Sequence, residues 1–156
     1  KDEPRFISIL LKDKTCLMDA ISFGIRPGKD GHFWVDECRV LYSFIYKYYS
    51  KYNGLLTRSA IDTLMDSDSS LTDEDRASIR MVWDRCYNSE SHIDDYSLLR
   101  DTINNRYVQC QAVEIMQNNM ESLLRATGAQ TDLVKNIKSS FDMIKGLEKG
   151  DSTYNG

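Results

Sequence analysis

Residues 94–128, DDYSLLRDTINNRYVQCQAVEIMQNNMESLLRATG, contain no proline, and their only glycine is the last residue. Apolar side chains recur in this stretch at the spacings of three, four and seven that define one face of an α-helix. Glycine commonly stands just beyond a helix C-terminus, so the helix is predicted to end at Gly128. At about 1.5 Å per residue it would be roughly 45–50 Å long, which is more than a small preceding domain could cover.

The long helix carries two neighbouring apolar stripes. The first stripe contains Leu99, Ile103, Cys110, Val113, Met120 and Leu124, and the second contains Val108, Ala112, Ile115 and Leu123. Thr131 is expected to begin a second helix that ends near Gly146, and its apolar residues are Leu133, Val134, Ile137, Phe141 and Ile144. The short Gly-Ala-Gln connection predicts an antiparallel helical hairpin.

A hairpin with two apolar flanks can bury one flank between its own helices, while the other flank needs another surface. That surface is either the preceding domain or a second chain, and the length of the helix favours self-association or partner binding. The residues assigned to this interface are Leu99, Ile103, Val113, Met116, Met120 and Leu124.

The composition favours an all-α protein, since 156 residues contain only 8 glycines and 2 prolines and are 41% hydrophobic. The predicted organisation is a compact multi-helix head at residues 1–90, the helical hairpin at 91–146 and the start of a linker at 147–156. The sequence begins with Lys1 and ends with the polar segment GDSTYNG. It is therefore expected to be a piece of a longer protein. The net charge of −4 argues against a dedicated DNA-binding module but leaves room for a local basic face.

The segment at residues 38–65 holds five tyrosines and one phenylalanine within eleven residues, with lysines interleaved. Such a mixture can form a platform for stacking nucleic-acid bases, or it can form the inner face of an ordinary helix. The residues at helical spacing, which are predicted to form a buried face, are Leu41, Phe44, Ile45, Tyr48 and Tyr52. Tyr42 and Tyr46 are predicted to lean away from this face and to be the aromatics that could meet a partner.

No catalytic, metal or cofactor site is predicted. The four cysteines are widely spaced and are expected to be reduced and packed, and His32 and His92 lack partners at a recognised metal-ligand spacing. The GIRPGKD segment departs from a phosphate-binding loop in its glycine spacing and in having Asp30 where a hydroxyl is required. No apolar run approaches about 18 residues and no signal peptide is visible, so a cytoplasmic protein that does not enter the membrane is expected.

Two segments resemble the N-terminal domain of DnaB-family replicative DNA helicases. Residues 4–65 follow the order of patterns in that family: an "LLGALL"-type helix at residues 10–13, a loop phenylalanine at Phe33, an "HR-x-IF-x-x-I" helix at residues 39–45, a "G-x-x-x-[ST]" turn at residues 54–59 and a "TL" helix at residues 61–65. Cys38 stands where the family has a histidine. SLLRDTINNRYVQCQAVEIMQNN, at residues 97–119, is similar to the start of the hairpin in phage-encoded members.

The resemblance implies a non-catalytic collar domain of a hexameric helicase that pairs subunits through helical hairpins and docks primase or a loader. The ATPase motor would follow a linker outside this chain, in the bacterial cytoplasm if the gene is phage-encoded. The resemblance also implies weak contact with single-stranded DNA, for which the candidates are Lys47, Lys51 and Arg58.

Two other classes of protein remain possible on the sequence. One is a small dimeric DNA-binding transcription regulator, although residues 59–65 contain Asp62 and lack the basic side chains of a recognition helix. The other is a stand-alone phage replication adaptor.

Overall fold

The computed structural model describes residues 2–128 and 131–154, including the side chains up to residue 145. The α-helices are α1 (Asp2–Lys12), α2 (Lys14–Phe23), α3 (Asp36–Tyr52), α4 (Arg58–Asp66), α5 (Asp73–Tyr87), α6 (Tyr96–Ala126) and α7 (Thr131–Tyr154). A single 3₁₀ turn, Ile93–Asp95, precedes α6, and no strand occurs in the described part of the chain. The predicted all-α class is confirmed.

Several helix ends are set by local side chains. Thr57 accepts a hydrogen bond from the Ala60 N–H at the start of α4. Thr72 and Asp75 form a reciprocal capping box at the start of α5, in which each side chain accepts from the other residue's N–H. Helix α6 ends at Ala126, and Gly128 has a φ of +74°, a conformation that costs little for glycine. The predicted end of the long helix near Gly128 is confirmed.

Helix α1 lies at the centre of the head, where it packs against α2, α3, α5 and α6. Phe6, Ile7 and Leu10 on this helix are fully buried. Phe6 stacks on Tyr96 at the start of α6, with ring centroids 5.5 Å apart, and also contacts Phe33. The N-terminal part of the long helix is therefore part of the same core as the short helices.

A buried carboxylate joins three helices. Glu3 of α1 accepts hydrogen bonds from the N–H groups of Trp34 and Val35, at 3.0–3.1 Å, where α3 begins. The guanidinium of Arg106 on α6 lies 3.6 Å from the same carboxylate. Burial raises the pKa of the Glu3 carboxyl, while the two N–H donors and Arg106 act in the opposite direction. These partners offset part of the cost of burying the charged carboxylate.

Replacing this carboxylate, Glu3→Gln, is expected to lower the free energy of unfolding by about 2 kcal/mol, because glutamine offers one acceptor oxygen and no charge opposite Arg106. Urea unfolding followed by circular dichroism measures the change. Glu90→Gln, at an exposed site, is the control and should stay within about 0.5 kcal/mol of the original chain. Equal effects of the two substitutions would contradict the role given to Glu3.

The loop between α2 and α3 is fastened to α6 through His32. The ring Nδ1 accepts from the Arg26 N–H at 2.9 Å, and Nε2 lies 2.9 Å from the side-chain oxygen of Asn104. The imidazole also stacks on Tyr107 with centroids 3.8 Å apart. Gly31 lies in this loop so close to the Arg26 carbonyl that a Cβ atom could not be accommodated. His32 therefore has a structural role in holding this loop against α6.

Burial lowers the pKa of His32, and the nearby Arg26 charge adds to this. The unfolded chain, with a pKa near 6.5, therefore binds the proton first as the pH falls. The stability contributed by the neutral ring is fully present above about pH 7 and is lost as the pH drops through 6.5 towards the folded-state pKa. Melting temperatures measured from about pH 7.5 to 5.5 should fall less steeply for His32→Gln than for the original chain, and equal slopes for the two chains would contradict this role of His32.

The buried face of α3 differs from the predicted one. The buried residues of α3 are Cys38, Leu41, Tyr42 and Ile45, while Tyr48 is half-buried and Tyr52 is exposed. Tyr42 is fully buried, and its hydroxyl donates to the Ile25 carbonyl at 2.7 Å. The prediction that Tyr42 points outward is wrong, because the α2–α3 loop supplies a partner for its hydroxyl that helical periodicity cannot reveal. Tyr46 is half-buried against it.

Helix α7 packs against α6, and the Lys145 ammonium lies 3.9 Å from the Glu114 carboxylate. The predicted end near Gly146 is wrong, since α7 continues to Tyr154, including residues assigned to a linker. A glycine inside a helix costs about 1 kcal/mol relative to alanine, which weakens a helix without ending it. Part of the Gly-Ala-Gln connection lies outside the described residues.

Candidate association face

The distal half of α6 exposes a row of large apolar side chains. The exposed fractions are 54% for Val108, 58% for Ile115, 57% for Met116 and 64% for Leu123. Ala112 and Met120 lie between them and are also exposed. We call Val108, Ala112, Ile115, Met116, Met120 and Leu123 the α6 face.

The opposite side of the same helix is covered. Cys110 and Gln117 are buried, and so is Val134 of α7. Residues 110 and 117 are two turns apart and share one side of the helix, which is the side that α7 and the head occupy. The α6 face is thus the side of the helix that no described element covers.

The α6 face is also uncharged. Glu114 is the only Asp, Glu, Lys or Arg residue between Arg106 and Glu121. Its carboxylate is paired with the Lys145 ammonium. The polar residues near the face are amides such as Gln109 and Asn119. A chain in which 28% of residues are charged therefore has one long strip without charge. Such a strip could contact another apolar surface without burying an unpaired ion.

The predicted interface residues fall into three groups. Leu99 and Ile103 belong to the core of the head, so the assignment of these two to a surface is corrected. Leu99 and Ile103 lie at the N-terminal end of the first stripe, and the short helices of the head cover that end. Val113 and Leu124 are half-buried, whereas Met116 and Met120 are exposed. The exposed stripe is therefore mainly the second one, which the interface assignment left out.

The residues predicted to contact single-stranded DNA lie on two different parts of the surface. Lys47 and Lys51 are exposed on α3. The Arg58 guanidinium lies 2.6 Å from Asp84 and 3.9 Å from Asp62, so acidic neighbours offset its charge. The two lysines share a surface with Tyr48 and Tyr52, whereas Arg58 joins α4 to α5.

A second apolar surface lies between α3 and α5. Two adjoining cavities of about 170 and 210 Å³ share Glu37, Ser78 and Val82 in their walls. Met81 stands at their edge with 72% of its surface exposed, and Val40 is also exposed. Neither residue was singled out from the sequence, because an isolated exposed methionine in a helix has no distinctive pattern.

The thiols are arranged as packed side chains. All four cysteines are free and buried, as predicted. Burial, with Asp13 nearby, raises the pKa of Cys16 to about 11, which makes this thiol a poor nucleophile at neutral pH. Among the described residues, no group of three or more His, Cys, Asp or Glu side chains could hold a metal ion.

No helix within the described ranges is long and apolar enough to cross a membrane. Comparisons of the chain with protein-family models, with curated proteins and with solved structures found no match.

Core and surface positions on α6 can be separated by truncation. Ile103→Ala is expected to lower the free energy of unfolding by about 3 kcal/mol, because it opens a cavity among buried side chains. Met116→Ala should change it by less than about 0.5 kcal/mol, since that side chain is mostly in solvent. Chemical denaturation of both variants checks the assignment, and comparable losses at the two positions would contradict it.

Proposed function

We propose that this chain is a non-catalytic association and docking domain, and specifically the N-terminal collar domain of a hexameric replicative DNA helicase. Two copies would pair through the α6 face, and the rest of the head would remain available for primase or a loader. The observation that carries the proposal is the exposed, uncharged apolar face on a helix that extends beyond the head. The resemblance of residues 4–65 and 97–119 to that family supports the helicase assignment.

The size of the α6 face is compatible with pairing. Its five large side chains present roughly 500 Å² at about 100 Å² each, near the upper end for the largest apolar patch on a monomer. Two such faces would bury roughly 1,000 Å², which is about the lower limit for a specific interface.

The spacing along the face suits a helix–helix seam. Val108, Ala112, Ile115 and Asn119 recur at alternating intervals of four and three residues, as in a heptad pattern. An asparagine within such a seam favours a single register, because its amide loses its hydrogen bonds when the partner shifts. Ala112 allows close approach of the two backbones at the middle of the seam.

Charge also favours this face over the remaining surface. Each copy carries a net charge of −4, so two copies repel each other over most orientations. The α6 face carries no charged side chain. Electrostatic repulsion between two copies therefore opposes contact at this face less than contact elsewhere on the surface. The groove between α3 and α5 lies on the head and offers a separate apolar surface for a different protein.

A dimeric DNA-binding regulator is less well supported. Its recognition helix would need free basic side chains, but α4 contains Asp62 and Asp66, and Arg58 is offset by Asp84. A stand-alone replication adaptor would use the same association face. Reading the gene beyond Gly156 distinguishes it, since a helicase must encode a downstream G-x-x-x-x-G-K-[ST] segment and an adaptor need not.

The association is tested by sedimentation equilibrium of the chain at about 5 to 200 μM. The original chain should form dimers in this range, and Ile115→Glu with Leu123→Glu should weaken dimerisation at least about tenfold by burying unpaired charge. Met81→Glu, an equally exposed apolar site on the head, is the matched control and should leave dimerisation unchanged. A monomer at every concentration, or equal weakening by the control, would remove the proposal.

A further inference from the structure

Two of the buried thiols meet at the interface between α3 and α5. Cys38 of α3 and Cys86 of α5 belong to the same core cluster, and their exposed fractions are 2% and 1%. Their side chains are within hydrogen-bond contact of each other, and both are free thiols. Two thiols in contact on neighbouring helices meet the first requirement for a disulfide, because the bond cannot form between side chains that are held apart.

The surroundings of the pair hold the two sulfurs together. Helices α3 and α5 pack against each other. The residues that immediately precede the two cysteines, Glu37 and Arg85, form an ion pair at 2.8 Å. The Cys16 thiol lies elsewhere in the core, on α2 beside Asp13. The fold therefore brings Cys38 to Cys86 before either sulfur has reacted.

A cavity of about 170 Å³ lies between the same two helices. Its walls include Glu37, which precedes Cys38, and Ile79 and Val82 of α5. Cys86 follows Ile79 by seven residues and Val82 by four, so these three side chains share one side of α5. The thiol pair therefore lies at one end of the cavity. This volume is enough for several water molecules, so hydrogen peroxide can enter it, whereas the much larger oxidised glutathione cannot.

The two sulfurs differ in reactivity. The hydrogen bond from the Cys38 thiol lowers the pKa of Cys86, burial opposes this effect, and the nearby Arg85 charge lowers the pKa further. The same hydrogen bond raises the pKa of Cys38, and burial adds to the rise. Because a thiolate and not a thiol attacks a peroxide, Cys86 is the sulfur that reacts first, and Cys38 keeps its proton until the second step.

We propose that Cys38 and Cys86 are a peroxide-responsive pair that forms a disulfide between α3 and α5. The Cys86 thiolate attacks one oxygen of hydrogen peroxide, the O–O bond breaks, and the leaving hydroxide takes up the proton that Cys86 had lost. The Cys38 sulfur then attacks the sulfenic acid, and the sulfenic oxygen leaves as water with the Cys38 proton. Two thiols and one peroxide thus give one disulfide and two waters, and two electrons pass from sulfur to oxygen.

The disulfide would join the two walls of the groove between α3 and α5 by a covalent bond. It would also close a loop that contains residues 39–85, which restricts the unfolded chain. The oxidised protein should therefore be more resistant to heat, and the spacing of the groove walls should be fixed. The proposal depends neither on self-association of the chain nor on the helicase assignment.

The test is oxidation of the folded chain with hydrogen peroxide at about 1 mM and about pH 7.5. After alkylation of the remaining thiols, trypsin places the four cysteines in four peptides, residues 15–29, 30–39, 86–100 and 107–125. We expect an intact mass lower by about 2 Da and one disulfide-linked peptide that joins residues 30–39 to residues 86–100. The melting temperature should rise by about 5–10 °C and return to its original value on reduction with dithiothreitol.

Variants of the cysteines separate this pair from the other thiols. Cys16→Ala with Cys110→Ala removes the other two buried thiols and should keep both the crosslink and the rise in melting temperature on oxidation. Cys38→Ala should abolish both and leave a sulfenic acid on Cys86 that dimedone traps. Oxidised glutathione should leave Cys38 and Cys86 unmodified in the folded chain over the same period, because it does not fit the cavity.

The ion pair beside the thiols provides a matched test of reactivity. Arg85→Gln and Glu37→Gln break the same ion pair, but the first removes a positive charge near Cys86 and the second removes a negative one. Crosslinking should be about threefold slower for Arg85→Gln and faster by a similar factor for Glu37→Gln, since the thiolate fraction changes in opposite directions. Equal rates for the two variants would contradict the role given to Cys86.

Three results would overturn the proposal as a whole. They are no loss of free thiols when the folded chain is oxidised, a disulfide that joins other cysteines or two chains, and formation of the same disulfide at an equal rate in about 6 M urea, where the folded contacts are lost. Circular dichroism shows whether each variant is folded. The peptide map of the original chain needs no variant, so it decides the pairing by itself.

Discussion

The interaction on which the remaining structure depends is the buried carboxylate of Glu3. This carboxylate accepts hydrogen bonds from N–H groups at the start of α3 and lies opposite Arg106 on α6. One side chain of α1 thus fixes the positions of two other helices. Negative charge at a helix N-terminus is favourable because the first N–H groups have no partner within the helix. Val35, which precedes α3, cannot cap it with its own side chain, and Glu3 accepts hydrogen bonds from the N–H groups of Trp34 and Val35 just before the helix begins.

The direction of α6 follows from this arrangement. Arg106 and Asn104 are held by Glu3 and His32, and both contacts lie in the part of α6 that packs on the head. Helix α7 also packs against α6. A substitution at Glu3 or His32 could therefore change where the α6 face lies relative to the head, although neither residue belongs to that face.

Charged and apolar side chains lie on different parts of the protein surface. The α6 face has no charged side chain, while the end of α3 carries two exposed lysines beside the exposed Tyr52. The groove between α3 and α5 is apolar with Glu37 and Arg85 at its rim, where they form an ion pair at 2.8 Å. These three surfaces share no residue.

Local features of the sequence were sufficient to predict much of the helical structure. The all-α class and the end of α6 near Gly128 depend on interactions within a few residues, which sequence spacing describes directly. The end of α7 was missed because a glycine weakens a helix by an amount that other residues can offset.

The sequence by itself determined that α6 is one long helix with two apolar stripes and that residues 38–61 carry positive charge without acidic residues. Only the tertiary structure decided which stripe is covered: the head buries Leu99 and Ile103, and the stripe through Ile115 is left exposed. It also placed Tyr42 inside and Tyr52 outside. The physical reason is that helical periodicity assigns side chains to faces, whereas burial depends on which other helices lie against each face and how far they extend.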